Sequence, residues 1–286
     1  MTHYDELMAM PSPAPPHWAE PCTHQECSLH QLSPYIGKLK SSIAQDLILK
    51  YSRPGELVVD MFCGSGTVPL EAARLGRRIF ASDASIYAVT LTQGKLQAPM
   101  TNEAALAELE DLLRCVESLP VPDLRCVPRW IRAFFHPHTL KEALRFTEFL
   151  QRQRKNFLLA SMLGILHHQR PGFLSFPSSH LVPYLRSKKF PQADYPDLYT
   201  YRPLAPRLRA KVERALKRPP TQADVSTLFR TQTLMGLQRP FIDQWREIAI
   251  RGMTALTVIE HFDVFKHCCL GVCVHVKFLQ VDQLGL

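Results

Sequence analysis

The sequence predicts an α/β fold with a Rossmann-like sheet, and three observations lead to this prediction. Residues 57–60, Leu-Val-Val-Asp, form a short apolar run rich in β-branched residues, which is typical of a strand. A glycine-rich turn follows at 61–66, and Thr67 to Leu75 then has helical composition. A second short run, Arg78 to Asp83, reads as the next strand. This order of elements predicts one βαβ unit of a parallel sheet.

The turn between the first strand and the helix has the features of a ligand-binding loop. Gly64 and Gly66 permit a tight turn and let a ligand approach the backbone closely. Pro69 is tolerated in a first helical turn, and Gly76 stands where a helix C-cap is expected. The free N–H groups at the start of this helix would face the ligand.

Two carboxylates indicate what kind of ligand the loop would bind. Asp60 ends the first strand, and Asp83 follows 23 residues later, which is the spacing at which nucleotide-binding units place a carboxylate on ribose hydroxyls. The turn lacks a G-x-G-x-x-G pattern, so a pyrophosphate ligand is disfavoured. A ligand with a ribose and a cationic amine but no phosphate suits the two acids better, and S-adenosylmethionine fits that description.

Residues 60–67, Asp-Met-Phe-Cys-Gly-Ser-Gly-Thr, resemble the cofactor loop of S-adenosylmethionine-dependent DNA amino-methyltransferases, typically D-P-F-x-G-S-G-T, with Met61 at the usual proline. The segment 30–38, His-Gln-Leu-Ser-Pro-Tyr-Ile-Gly-Lys, is similar to the motif that precedes this loop in the family. The resemblance covers roughly residues 28–90 and implies a class I methyltransferase sheet. The alternative is a Rossmann-like turn that binds another ligand or none. The cofactor contacts that the resemblance implies are Asp60, Phe62, Gly64, Ser65, Gly66 and Thr67 for the methionine part, Asp83 for the ribose, Ala84 near the adenine, and Tyr35 and Lys38 along the same pocket.

A second family signature, [D/N/S]-P-P-[Y/F/W], is not found in the 286 residues. In the family, its acceptor side chain and a prolyl carbonyl bind the exocyclic amine of a flipped base, and its aromatic residue stacks on that base. Residues 257–264 read as a turn entering the strand that would lead to this motif, but the chain continues from Phe265 without it. The catalytic residues are therefore unknown and the C-terminal catalytic half is predicted to be incomplete, through a frameshift or truncation near Phe265 or through natural divergence.

The chain divides into four predicted regions. These are a flexible proline-rich arm (1–28), an S-adenosylmethionine-binding subdomain (29–136), a mainly helical, basic insertion for target recognition (137–220) and a remnant of the catalytic half with a divergent C-terminus (221–286). Helices are predicted over 41–51, 101–119, 139–154, 157–168 and 206–218. Asn156 is predicted to cap the helix 157–168, and His167 and His168 to satisfy its last carbonyls rather than to catalyse.

The insertion combines aromatic and basic residues, which suits contact with nucleic acid. Runs of cations on a helix often form only a solvated face, but the family resemblance favours DNA contact here. Aromatic residues that could stack on bases are Phe173, Phe176, Tyr184, Tyr195, Tyr199 and Tyr201. The predicted DNA-binding residues are Arg186, Lys188, Lys189, Arg207, Arg209, Lys211 and Arg214.

Composition limits the remaining alternatives. The formal net charge of +8 favours a polyanionic partner, and the 46% hydrophobic content can build a substantial core. The apolar run 268–279 is too short to span a bilayer, so we expect a soluble, cytoplasmic protein without a membrane partner. The eight cysteines lack a regular disulfide spacing, which suits reduced thiols. Cys22, His24, Cys27 and His30 have poor spacing for zinc, and no metal is predicted.

These observations predict a site-specific DNA methyltransferase. It would transfer a methyl group from S-adenosylmethionine to the exocyclic amine of adenine or cytosine in double-stranded DNA, with weak or no activity of this chain alone. One alternative is an RNA methyltransferase. Another is a non-catalytic subunit that binds DNA or the cofactor and works with a protein partner that supplies the missing motif.

Overall fold

The computed structural model describes residues 15–18, 26–168, 172–177 and 181–218. Most of the predicted arm (1–28), the catalytic remnant (221–286) and the proposed departure at Phe265 lie outside the described residues. In chain order the elements are α1 (Ser41–Tyr51), β1 (Leu57–Asp60), α2 (Thr67–Arg74), β2 (Arg78–Ala81), α3 (Ile86–Leu96), α4 (Asn102–Val116), α5 (Arg129–Arg132), α6 (Pro137–Arg152), α7 (Asn156–Leu163), α8 (Pro183–Lys189) and α9 (Leu204–Ala215). Short 3-10 helices cover Pro16–Trp18, Ser28–Gln31, Leu124–Cys126 and Pro196–Tyr199.

The two strands form a parallel pair joined by α2. Leu57 pairs with Arg78 and Asp60 pairs with Ala81, so the carboxyl ends of both strands meet at the same edge. This confirms the predicted βαβ unit. The described residues are otherwise mostly helical and hold a sheet of two strands, which is compatible with a methyltransferase-like α/β fold without establishing the full Rossmann-like sheet.

Helices cover one face of this strand pair. Ile79 and Ala81 are buried with side chains of α1, α2 and α3, and Val58 packs against the same cluster. Alternation along a strand places Leu57 and Val59 on the opposite face. Their side chains are 52% and 54% exposed. Within the described residues, the sheet therefore has one covered and one open face.

A larger helical core extends from the cofactor half into the predicted insertion. Buried side chains of α3, α4, α6, α7 and α9 share one apolar cluster, which crosses the predicted boundary at residue 136. The tightest approach is at Gly94 in α3, where an added Cβ would lie 2.5 Å from Ala160 Cβ of α7. Glycine at this position therefore allows α3 and α7 to pack closely.

Several predicted helix ends differ from the structure. The helix α7 begins at Asn156, with Lys155 at its N-cap position, and ends at Leu163 rather than at residue 168. His167 and His168 consequently lie beyond its last turn, so the prediction that they satisfy its last carbonyls is wrong. Their rings pack against Phe134 and Phe173 instead. Among the residues described, no helix combines the length and the apolar character that crossing a membrane requires.

Candidate cofactor site

The turn between β1 and α2 is built on two glycines in the left-handed region. Gly64 has φ 50° and Gly66 has φ 74°, and Gly66 occupies the N-cap position of α2. The N–H of Gly66 donates to the carbonyl of Cys63 at 2.7 Å, which closes the turn. A Cβ on Gly66 would lie 2.6 Å from Thr92 Oγ1 of α3. Both the backbone angle and the close approach to α3 therefore require glycine here.

The two predicted carboxylates lie at the carboxyl ends of neighbouring strands. Asp83 accepts hydrogen bonds from the N–H of Gly64 at 2.9 Å and from the N–H of Ser85 at 2.8 Å. Asp60 accepts from the N–H of Phe62 at 3.2 Å. Burial, together with the charge of Asp83, raises the pKa of Asp60. Asp60 and Asp83 can accept further hydrogen bonds, so this end of the sheet can bind a cation and hydroxyl groups.

The other predicted loop residues differ in how far their side chains are exposed to solvent. The ring of Phe62 is 70% exposed, and Ala84 is exposed as well. Ser65 and Thr67 are buried, with their hydroxyl oxygens 3.1 Å apart in a hydrogen bond. These two hydroxyls therefore stabilise the loop internally, while Phe62 and the two acids lie where a ligand can reach them.

The upstream motif contacts the loop through Tyr35. Its ring lies 3.3 Å from the position that a Cβ on Gly64 would take, and it stacks on Tyr87 with 6.0 Å between ring centroids. The hydroxyl of Tyr87 donates to the carbonyl of Pro34 at 2.8 Å, which fixes the motif against α3. Lys38 donates to the carbonyl of His30 at 2.9 Å, within its own segment. The structure thus brings Tyr35 to the loop and directs the ammonium of Lys38 elsewhere.

A buried hydrogen-bonded pair that the sequence did not predict joins the same two segments. His30 Nε2 lies 2.5 Å from Glu71 Oε1 of α2, and both side chains are buried. Gln45 and Arg74 also donate to Glu71. Burial opposes ionisation of Glu71, but the hydrogen bonds and nearby positive charges outweigh it and lower its pKa, whereas burial lowers the pKa of His30. The sequence signal for this pair is Glu71, the one acid of α2, which is flanked by apolar residues. A buried acid needs a hydrogen-bonding partner.

The contact between His30 and Glu71 also bears on whether Cys22, His24, Cys27 and His30 could bind a metal ion. His30 is engaged by Glu71 and Cys27 is a buried free thiol, while Cys22 and His24 lie outside the described residues. In the part of the chain that the structure describes, no group of three or more histidine, cysteine or acidic side chains is arranged to hold a metal ion.

The predicted DNA-binding residues fall into different environments. Lys188 and Lys189 of α8 and Arg214 of α9 are exposed. Arg209 forms a two-pronged ion pair with Glu110 of α4, including an Nη2–Oε2 distance of 2.7 Å. Two others are engaged by backbone carbonyls, since Arg207 donates to Pro203 and Lys211 donates to Gln31.

Arg186 requires a correction, because it lies in the protein interior. Its side chain is 2% exposed and its guanidinium lies 5.1–5.8 Å from the ring centroids of Phe134, Phe176 and Tyr199. It also donates to the carbonyl of Ala133. A guanidinium enclosed by three aromatic rings stabilises the fold and is not available to a DNA phosphate. Phe176 is buried in the same cluster and is likewise removed from the predicted stacking residues.

Comparisons with known proteins agree with the geometry over one part of the chain. Residues 18–94 match the family model described as DNA methylase, of the adenine-N6 and cytosine-N4 type. No curated protein and no solved structure matches the chain. The matched residues include the upstream motif, the glycine turn and both carboxylates. The segment 18–94 is therefore similar to the DNA methylase family, and the match does not extend to the rest of the chain.

Proposed function

We propose that the loop between β1 and α2 binds S-adenosylmethionine. The observation that carries this proposal is the placement of Asp60 and Asp83 beside one glycine turn, inside the segment that matches the DNA methylase family. The sulfonium and the amine of the cofactor suit two acids, and its ribose hydroxyls suit the remaining lone pairs of Asp83. The backbone at Gly64 and the ring of Tyr35, which lies against it, would form one side of the ligand site.

The family match supports DNA methyltransferase activity in general, and we propose an exocyclic amine of adenine or cytosine as the acceptor. When bound, S-adenosylmethionine supplies an electrophilic methyl group on a good leaving group. Transfer then depends mainly on positioning, which the residues of the chain provide by holding the cofactor and the DNA strand. The exposed cations Lys188, Lys189 and Arg214 are the proposed first contacts with DNA phosphates.

Calorimetry of S-adenosylmethionine binding to the full chain tests the proposal. Asp83→Asn keeps the shape of the side chain and one acceptor oxygen but removes its charge, and we expect it to weaken binding at least tenfold. Asp194→Ala removes an exposed acid from a loop away from the cofactor turn and serves as the matched control. A folded wild-type chain that does not bind S-adenosylmethionine would refute the proposal.

A second candidate function is a non-catalytic subunit, which the missing [D/N/S]-P-P-[Y/F/W] motif favours. In this case the chain binds the cofactor and DNA, and a protein partner supplies the groups that polarise the base. The discriminating assay measures radioactive methyl transfer to DNA by the purified chain, alone and with a co-purifying protein that carries the motif. Full activity of the chain alone would exclude the subunit role.

A further inference from the structure

A cationic cavity lies next to the cofactor loop. It has a volume of about 800 Å³ and is lined by the upstream segment 28–38 and by the C-terminal part of α9 with the residues that follow it. A third part of the lining comes from Gly164, Ile165, His168, Gly172 and Phe173. Tyr35 lines this cavity and also contacts the position of Gly64 in the loop. The cavity and the cofactor turn are therefore neighbours that share one aromatic side chain.

Hydrogen bonds fix the two walls of the cavity against each other. The hydroxyl of Ser28 donates to the carbonyl of Ala215 at 2.7 Å, and the N–H of Arg218 donates to that hydroxyl oxygen at 3.0 Å. The N–H of Ser28 donates in turn to the carbonyl of Arg218 at 3.1 Å. Lys211 spans the same gap by donating to the carbonyl of Gln31 at 2.8 Å. The backbone of these two walls is therefore held in place before any ligand binds.

The lining carries positive charge from both walls. Lys38 contributes from the upstream segment, and Lys211, Arg214, Lys217 and Arg218 contribute from the other side. Among the described residues, no aspartate or glutamate lines this space. Burial, reinforced by the charge of Arg214, lowers the pKa of Lys211 to about 8. Cations that repel one another in a partly enclosed space are stabilised when an anion binds between them.

This cavity differs from the cofactor turn in the sign of its charge. The turn presents two carboxylates and suits a cationic ligand, whereas the cavity suits phosphate groups and excludes the cofactor by charge. We propose that the cavity binds backbone phosphates of the DNA strand and holds that strand beside the cofactor loop. This inference rests on the proposed function, because the family match is what makes DNA the polyanion rather than another phosphate compound.

Fluorescence anisotropy with a labelled DNA duplex and the full chain tests the inference. Arg214→Gln and Lys217→Gln each remove one exposed cation from the cavity wall. Each is expected to weaken binding about eightfold at 0.1 M salt, because one phosphate contact fewer lowers the slope of log K against log salt by about 0.9. The double variant is expected to lower the slope by about 2. Lys50→Gln removes an exposed cation at the end of α1 and is the matched control.

Three outcomes would overturn the inference. The first is a salt slope that changes no more in the cavity variants than in Lys50→Gln. The second is binding of inorganic pyrophosphate that these variants abolish while DNA affinity stays unchanged, which would make the cavity a site for small phosphate compounds. The third is a preference for duplex RNA of the same sequence. Calorimetry with S-adenosylmethionine on the same variants tests the two proposals separately. If these variants bind the cofactor normally and their DNA affinity is unchanged, only the proposal that the cavity binds DNA is refuted.

Discussion

Replacing Lys95 with methionine is expected to stabilise the protein at neutral pH and to stabilise it less at higher pH. Lys95 lies on α3 with 2% of its side chain exposed, and within the described residues its Nζ has no hydrogen-bond partner. Burial, together with the positive charge of Lys38, lowers its pKa from 10.5 to about 7. Folding must therefore either bury a charge or remove a proton from this amine.

The magnitude follows from the two pKa values. At pH 7 and below, the depressed pKa of Lys95 costs the folded state up to about 5 kcal/mol, because each pH unit corresponds to about 1.4 kcal/mol. Between pH 7 and pH 10.5 the unfolded chain binds more protons at this site than the folded chain, so stability rises with pH. About 2 kcal/mol of the cost disappears between pH 7 and pH 9. Methionine fills a similar volume without charge, so a gain of roughly 2 to 4 kcal/mol is expected at pH 7.

Urea unfolding of the full chain followed by circular dichroism at pH 7, 8 and 9 measures this effect. Comparing the variant with the wild type at each pH cancels opposing contributions, such as the buried thiols of Cys27 and Cys63, whose raised pKa values lower stability above about pH 9. Lys50→Met, on the exposed side of α1, is the control and should have a small effect that does not vary with pH. A Lys95→Met variant that is destabilised at every pH, or a gain that is constant from pH 7 to pH 9, would refute the reasoning.

Three further predictions concern the packing around the site. His30→Ala removes the histidine partner of a buried carboxylate that Gln45 and Arg74 still contact, and chemical denaturation should show a loss of about 2 kcal/mol; a loss below 1 kcal/mol would contradict the buried pair. Gly66→Ala should abolish S-adenosylmethionine binding in calorimetry, whereas Gly55→Ala, with a similar φ of 84° but open space around it, should cost only about 1 kcal/mol of stability and leave binding intact. Arg186→Gln should lower the Tm markedly and Lys189→Gln should not, since only Arg186 is enclosed by aromatic rings; equal Tm values would place Arg186 outside the core.

The sequence predicts the strand pair and the turn between its strands well because their signals are local. Two β-branched residues mark β1, and two glycines mark a turn that only left-handed backbone can form. The positions of Asp60 and Asp83 follow directly, since parallel strands joined by one helix end at the same edge. The placement of Tyr35 at the loop rests on the family resemblance rather than on a local pattern, because 29 positions separate it from Gly64, which it approaches.

Long-range contacts explain what the sequence did not predict. In the sequence, Arg186 is one of several cations in a basic segment. It lies in the core because Phe134 and Tyr199, from other parts of the chain, pack against its guanidinium. The hydrogen bond of His30 with Glu71 joins residues 41 positions apart. Lys95 was the most predictable of these, since it lies four positions after the buried Leu91 on the same helical face.

The open face of the strand pair has a practical consequence for the handling of this protein. Leu57 and Val59 project from a two-stranded ribbon whose other side is covered by helices. An exposed apolar surface beside open strand edges is of the kind that promotes association into aggregates. Light scattering at the concentrations used should therefore accompany ligand titrations of this protein.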